Sequence, residues 1–358
     1  MRVAVVNLTA GGLSGGYRKY LRRLMPLLAA DRRVSALRIF VPRTAAATFD
    51  TGLDVRTWDP GVGGRRAIAS EVSAFGASVV FVPTARYATF GAAPVVTMVR
   101  NMEPLLVPFG GNAWTEGLRN VARAWEARRA SKRARRVIAV SAHVREFLVR
   151  RWRIPEGRVG LVYHGVDPLE AKETAADSAN RLIFTAGSIR PARGLEDVVR
   201  ALPRLDRDVH LIVAGTVNRG AEPYAGRLRD LAATLGVSKR IRFVGELPDE
   251  AMEAAFRACA VFVMTSRAEA CPNTALEAMS AGAVTVSVDH PPMPEFFGDA
   301  ALYYPAGDAA LLAGQLQSAL DPGPGRARLS RAAIERARLF PWSATATRTI
   351  SELERAIS

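Results

Sequence analysis

Short apolar runs alternate with helical stretches along this 358-residue chain, and no other feature restricts its fold so much. Neighbouring parallel strands must be joined by crossovers of a dozen or more residues, usually helices, so this rhythm predicts parallel sheets of the doubly wound kind. In the first half the strand-like runs are Arg2–Asn7, Val34–Val41, Ser78–Val82, Val95–Val99, Val137–Val140 and Val159–Val162. The rhythm stops over the polar, alanine-rich residues 169–180 and restarts with Arg181–Ala186, Val209–Ala214, Ile241–Val244, Val261–Met264 and Val284–Val288. The chain therefore reads as α/β, with two Rossmann-like domains at residues 1–168 and 181–340 and a linker at 169–180. From Asp308 onward the pattern is helical only, broken at Asp321–Gly325 and at Phe340–Pro341, which sets 341–358 apart as a last helix. Ligands of doubly wound sheets bind beyond the carboxyl ends of the strands, and a cleft that two such domains face is the expected active site.

The formal net charge of +15 is unevenly spread. Residues 1–168 hold 27 basic against 11 acidic side chains, an excess of +16, whereas 169–358 hold 22 against 23. Only Lys19, Lys132, Lys172 and Lys239 are lysines, a bias that GC-rich coding produces; it does not explain why acids are scarce in one half. A functional basic surface on the first half is the expectation. There Trp114, Leu118, Val121 and Trp125 fall on one helical stripe, amid Arg119, Arg123, Arg128, Arg129, Lys132, Arg133, Arg135 and Arg136. An arginine-rich amphipathic helix suits an anionic membrane surface; the other reading is a core-packed helix with a solvated back. No nucleic-acid reader motif accompanies the charge. No apolar window reaches the roughly 18 residues of a membrane span. The opening Met1–Asn7 is too short for a signal-peptide core and reads as a first strand. Cys259 and Cys271 make no disulfide framework, and no Cys/His group has zinc spacing. A cytoplasmic protein, at most peripheral to the inner face of the membrane and without metal or cofactor, is expected.

Behind the Val261–Met264 run comes Ser266-Arg-Ala-Glu269-Ala-Cys271-Pro272-Asn273-Thr274-Ala275-Leu-Glu277-Ala-Met-Ser-Ala-Gly282. Pro272 suits a first helical position and Gly282 a stop, so a helix over 272–281 is predicted. Its first N–H groups, on Asn273, Thr274 and Ala275, have no partner inside the helix and form an anion site suited to a diphosphate. Glu269 precedes the helix and Glu277 lies about a turn inside it; both can accept hydrogen bonds from sugar and ribose hydroxyls. After the Arg181–Ala186 run comes Gly187-Ser188-Ile-Arg190-Pro-Ala-Arg193-Gly194, with two loop cations. After the first run, Gly11, Gly12, Gly15 and Gly16 let backbone approach a ligand; a Rossmann cofactor loop competes, although the Gly-x-G-x-x-G order is lacking. Asp206-Arg-Asp208 looks like a metal-binding pair but precedes a strand, and reads as a solvated turn.

The Ser266–Gly282 string resembles the signature of the family 4 glycosyltransferases, Glu-x7-Glu followed by Ala-Met-x-x-Gly, and the resemblance extends over nearly the whole chain. It implies a GT-B fold and a nucleotide-diphosphate sugar as donor, bound by the second domain. It also implies a saccharide or lipid-linked acceptor on the first domain and a last helix crossing back to that domain. Transfer would proceed with retention and without a metal, in making cell-envelope or extracellular polysaccharide. By resemblance Glu269 contacts the transferred sugar and Glu277 the ribose; Ala270-Cys271-Pro272 replaces the usual Gly-Phe-Gly, so Cys271 lines the pocket. The pattern Gly-Arg-Leu-x-x-x-Lys-Gly places Arg193 at the lysine position and Ser188 at the arginine position, one cation short, with Arg190 as its replacement. Gly15 and Gly16 match a glycine loop facing the donor phosphates, and Gly245-Glu246-Leu247 matches a loop whose backbone holds the base. Asn101 stands where many relatives carry a histidine; its amide can bind hydroxyls but cannot act as a base. Two alternatives stay open: a catalytically degenerate GT-B paralogue serving as a binding or scaffold subunit, and a GT-B sugar-nucleotide epimerase.

Overall fold

The structure, a computed structural model, describes residues 1–9, 15–49, 52–61, 63–111, 114–169, 181–218 and 220–358. Gly11, Gly12 and all of the expected linker except Leu169 lie outside the described residues. Two compact units emerge: Met1–Met102, Ala122–Gly165 and Pro341–Ser358 form the first, Glu103–Val121 and Val166–Phe340 the second.

The first unit is built on a parallel sheet of β1 (Arg2–Val6), β2 (Ala36–Pro42), β3 (Val55–Trp58), β4 (Val79–Val82), β5 (Val95–Val99), β6 (Arg136–Ala139) and β7 (Val159–Leu161). Their spatial order is β3-β2-β1-β4-β5-β6-β7, with Val3 opposite both Leu37 and Val79. Central strands of such a sheet are covered on both faces, and Val3–Val6 and Val79–Val82 are accordingly apolar and buried throughout. Val6, Phe40, Trp58, Val72 and Val82 share one core cluster, and Trp58 Nε1 donates to the Asn7 carbonyl at 3.2 Å.

The second unit repeats the plan with β8 (Leu182–Ala186), β9 (His210–Ala214), β10 (Ile241–Gly245), β11 (Val261–Met264), β12 (Thr285–Val288) and β13 (Ala301–Tyr304), all parallel in the order β10-β9-β8-β11-β12-β13. Phe256 packs edge-on to Phe184 and Phe262 at 5.4 and 5.3 Å beneath it. β3 and β13 are edge strands that the apolar-run reading passes over, because their middle residues are at least partly exposed.

Two boundaries depend on particular side chains. Residues Glu103–Val121 group with the second unit, not with the first as the 1–168 domain reading has it. Glu103 Oε2 pairs with Arg190 Nη1 at 2.6 Å, and the Gly111 carbonyl accepts from Arg227 Nη2 at 3.4 Å. The helix Trp342–Ile357 groups with the first unit, packing on the helix Gly15–Ala29 and on β4, β5 and β6. Its Glu352, 4% exposed, accepts from Arg136 Nε at 2.6 Å, and Thr345 Oγ1 donates to the Tyr163 carbonyl at 2.9 Å.

Candidate functional site

In the second sheet the strand order reverses between β8 and β11, so the loops leaving these two strands diverge and open a crevice at their carboxyl ends. Both loops carry the motifs. After β8 the chain turns through Gly187 and a short 3₁₀ turn, Pro191–Arg193. The Arg193 side chain reaches the loop after β11, where Nη1 donates to Ser266 Oγ at 2.9 Å and to Glu269 Oε1 at 2.8 Å. Its backbone is fixed too, since Arg193 N donates to the Arg190 carbonyl at 2.9 Å and Thr265 Oγ1 to the Arg193 carbonyl at 2.6 Å. Two glycines are dictated by this packing. A Cβ on Gly187 (φ 136°) would strike the Arg193 guanidinium, and one on Gly194 (φ 59°) would lie 2.6 Å from the Thr265 carbonyl oxygen.

The Arg193 and Glu269 side chains are 15% and 14% exposed. Burial pushes the Arg193 pKa down, Glu269 opposes that shift, Arg190 adds to it and Glu103 opposes it. A guanidinium starts so high that it stays cationic regardless. Arg193 Nε is buried without a hydrogen-bond partner among the described residues. Beside the side chain, Thr185, Gly187, Leu195, Val213 and Ser266 help line a recess of about 10 Å³, the room of one water molecule.

A second network braces the same loops. Arg267 Nη2 donates to Glu196 Oε1 at 3.1 Å and Asp197 Oδ1 at 2.9 Å. Asp197, fully buried, also accepts from the Gly307 N–H at 3.0 Å and the Tyr304 hydroxyl at 3.3 Å. Tyr224 OH donates to Glu196 Oε2 at 2.6 Å and accepts from the Leu195 N–H at 3.0 Å. Burial, then the neighbouring carboxylates, push both tyrosine pKa values up. Sequence reasoning misses these residues because their spacing follows no local pattern.

The expected helix is present as Asn273–Ser280, with Glu277 half-buried on it and Glu269 in the preceding loop. Two details differ from the sequence reading. Pro272 is the N-cap, not the first helical residue, and the Ala275 N–H donates to the Pro272 carbonyl at 2.9 Å. That tight first turn removes Ala275 from the set of free donors. The helix is backed by Pro324–Ala337, whose Ser330 Oγ donates to the Gly282 carbonyl at 2.7 Å. Cys271 is buried and takes part in no disulfide. Gly245 accepts from the Gly215 N–H at 2.6 Å, joining the ends of β9 and β10; Glu246 beyond it is exposed and Leu247 half-buried. Ser188 is half-buried beside Gly187. Arg190, expected to replace the missing cation, has its Nη1 held by Glu103. Asn101, exposed after β5, and Gly15 and Gly16, which open the Gly15–Ala29 helix, belong to the first unit. Asp206 and Asp208 pair with Arg181 at 2.8 and 3.5 Å, as a solvated turn before β9 would.

Two family models match this chain: Glycosyltransferase Family 4 over residues 15–169 and Glycosyl transferases group 1 over 167–336. The chain belongs to the family 4 glycosyltransferases. Among curated relatives of this chain, the D-inositol 3-phosphate glycosyltransferase of Corynebacterium efficiens is 33% identical over 179 residues, 48% of this chain and 42% of that protein. The enzyme of the same name from Mycolicibacterium vanbaalenii is 29% identical over 245 residues, 63% and 54% of the two chains. The chain thus spans about half the length of the curated relatives it matches. Among solved structures, Anabaena HepE in complex with UDP superposes with a TM-score of 0.77 at 17% identity, over 99% of this chain and 100% of that one. The same protein has been solved with UDP-glucose. Sucrose-phosphate synthase from Thermosynechococcus elongatus gives 0.78 at 19% identity, over 99% and 98%. Such likeness shows the fold, which is GT-B.

Proposed function

We propose that this glycosyltransferase moves a sugar, with retention of configuration, from a nucleotide-diphosphate sugar to a saccharide or lipid-linked acceptor at an anionic membrane surface, in building cell-envelope or extracellular polysaccharide. The observation that carries the reading is Arg193: a buried cation at the reversal of strand order, with Nε unpartnered among the described residues and Glu269 on its other edge. The donor complexes of HepE, with UDP and UDP-glucose, support the donor class.

In this reading Arg193 and the N-terminus of the Asn273–Ser280 helix hold the diphosphate, Glu277 holds the ribose, and the loop Gly245-Glu246-Leu247 holds the base. The bond from the anomeric carbon to the diphosphate oxygen breaks, and the bond to the acceptor oxygen forms on the same face. The acceptor proton passes to the departing diphosphate. Charge that grows on the leaving group is met by fixed protein charge and dipoles, and Glu269 favours the positive charge that develops on the sugar.

A panel of UDP-, GDP- and TDP-sugars tests this directly. A true donor at 100 times its Kd stabilises the fold by about 2.7 kcal/mol, and the purified protein releases nucleotide from it slowly. Absence of both effects across the panel would favour a degenerate binding subunit, the reading to which Ser188 and the Glu103-bound Arg190 point.

A further inference from the structure

The helix Trp114–Arg133 buries its small side and presents its large one. Gly117, Asn120, Ala127, Ala130 and Ser131 face inward, while Trp114 (72%), Leu118 (51%), Val121 (45%) and Trp125 (64%) are exposed. The apolar stripe is therefore not a core face. At 100° per residue the four fall within an arc of about 60°. Phe109, 39% exposed, packs against Trp114 with ring centroids 5.1 Å apart and widens the patch. Arg128 and Lys132 continue the arc toward the end of the helix, and Arg129 flanks it with its guanidinium 5.6 Å from the Trp125 ring; all three are exposed. The helix has two acids, Glu116 and Glu126, and each is engaged by arginine: Arg119 at 3.3 Å for the first, Arg65 at 3.4 Å and Arg86 for the second. Its outer face is left cationic and aromatic together.

The geometry points to this face as a docking surface for an anionic lipid bilayer. Exposed apolar patches of this kind mark interaction sites. Tryptophans with basic residues beside them match the headgroup boundary, where rings enter the acyl edge and cations meet lipid phosphates. A second copy of the chain is a poorer occupant, since it would set one cationic face against another. Arg136, which the sequence places in the basic set, is no part of the surface: it is 12% exposed and paired with Glu352. The surface deepens the proposed reading, as the place where a lipid-linked acceptor is met, yet lipid binding needs neither donor nor turnover.

The full chain should co-sediment with vesicles containing phosphatidylglycerol and not with pure phosphatidylcholine, and rising salt should release it, because exposed charges are screened within about 8 Å at physiological ionic strength. Tryptophan emission should shift to the blue on binding, as Trp58 and Trp152 are already buried. Trp114→Ser with Leu118→Ser and Trp125→Ser should weaken binding at least tenfold and abolish the shift, as should Arg128→Glu with Arg129→Glu and Lys132→Glu. Circular dichroism and donor-induced thermal stabilisation serve as controls for fold and donor site. No binding to the anionic vesicles, or equal binding by both triple variants, would overturn the assignment. So would a wild-type dimer that the apolar variant converts to monomer, which would make a second copy the occupant. Donor stabilisation that survives any of these results leaves the glycosyltransferase reading standing.

Discussion

Replacing Arg193 by alanine separates two jobs that one side chain can do. Structurally it removes two hydrogen bonds, to Ser266 at 2.9 Å and Glu269 at 2.8 Å, and leaves a carboxylate 14% exposed without its cation. For a fully buried pair that loss costs about 3–5 kcal/mol; beside an open crevice, water meets part of the need, and about 1–3 kcal/mol is expected. Chemically, in the proposed reading, the variant loses the cation that faces the departing diphosphate. That interaction strengthens as charge accumulates, so kcat should fall about a hundredfold, or roughly 2.7 kcal/mol, while donor Kd changes much less. Glu269→Gln is the companion. Its amide oxygen can still accept from Arg193, so its stability loss should be smaller than that of Arg193→Ala. Arg193→Lys keeps the charge without the planar fork and should restore part of kcat. Urea unfolding gives stability, single-turnover nucleotide release gives the chemical step, and calorimetry gives donor Kd. If Arg193→Ala loses stability but keeps kcat, Arg193 is a clamp between the loops after β8 and β11 and the diphosphate is held elsewhere.

Glu277→Gln should raise the donor KM with little loss of kcat, because ribose, the partner proposed for Glu277, is unchanged by the reaction, whereas Glu269→Gln should mainly lower kcat; steady-state kinetics with the two patterns exchanged would reverse the proposed roles. Glu352→Ala leaves Arg136, 12% exposed, without its carboxylate and should cost about 3 kcal/mol in urea unfolding. Gly187→Ala requires a side chain at φ 136° and displaces the Arg193 guanidinium, so it should lower kcat with far-ultraviolet circular dichroism unchanged. Burial pushes the Cys259 thiol up to about 12, so iodoacetamide at pH 8 should leave it unmodified in the native protein and label it on unfolding, as read by mass spectrometry.

How far the sequence discloses this molecule depends on what each residue has to satisfy. A central parallel strand must be apolar on both faces, which makes runs such as Val3–Val6 and Val261–Met264 legible, while an edge strand such as Val55–Trp58 need only bury one end and hides among loop residues. Glu269 and Arg193 are legible as candidate site residues because each lies in a loop following a strand. Their pairing is not, since it depends on two loops 76 residues apart being brought together by the β8–β11 neighbourhood. The same holds for Glu103, which joins Arg190 only after the 103–121 segment has left the first unit for the second. The Trp114–Arg133 helix shows a subtler limit. Its sequence carries two faces with one period, a stripe of tryptophan, leucine and valine and a stripe of glycine, asparagine, alanine and serine, and hydrophobicity alone selects the first for the core. Packing selects the second: Phe109 lies directly against Gly117, where an added Cβ would strike its ring, and the small residues Asn120, Ala127, Ala130 and Ser131 are buried while the large ones are left outside. Size complementarity with a neighbour decides which face is buried, and the neighbour is not written in the helix.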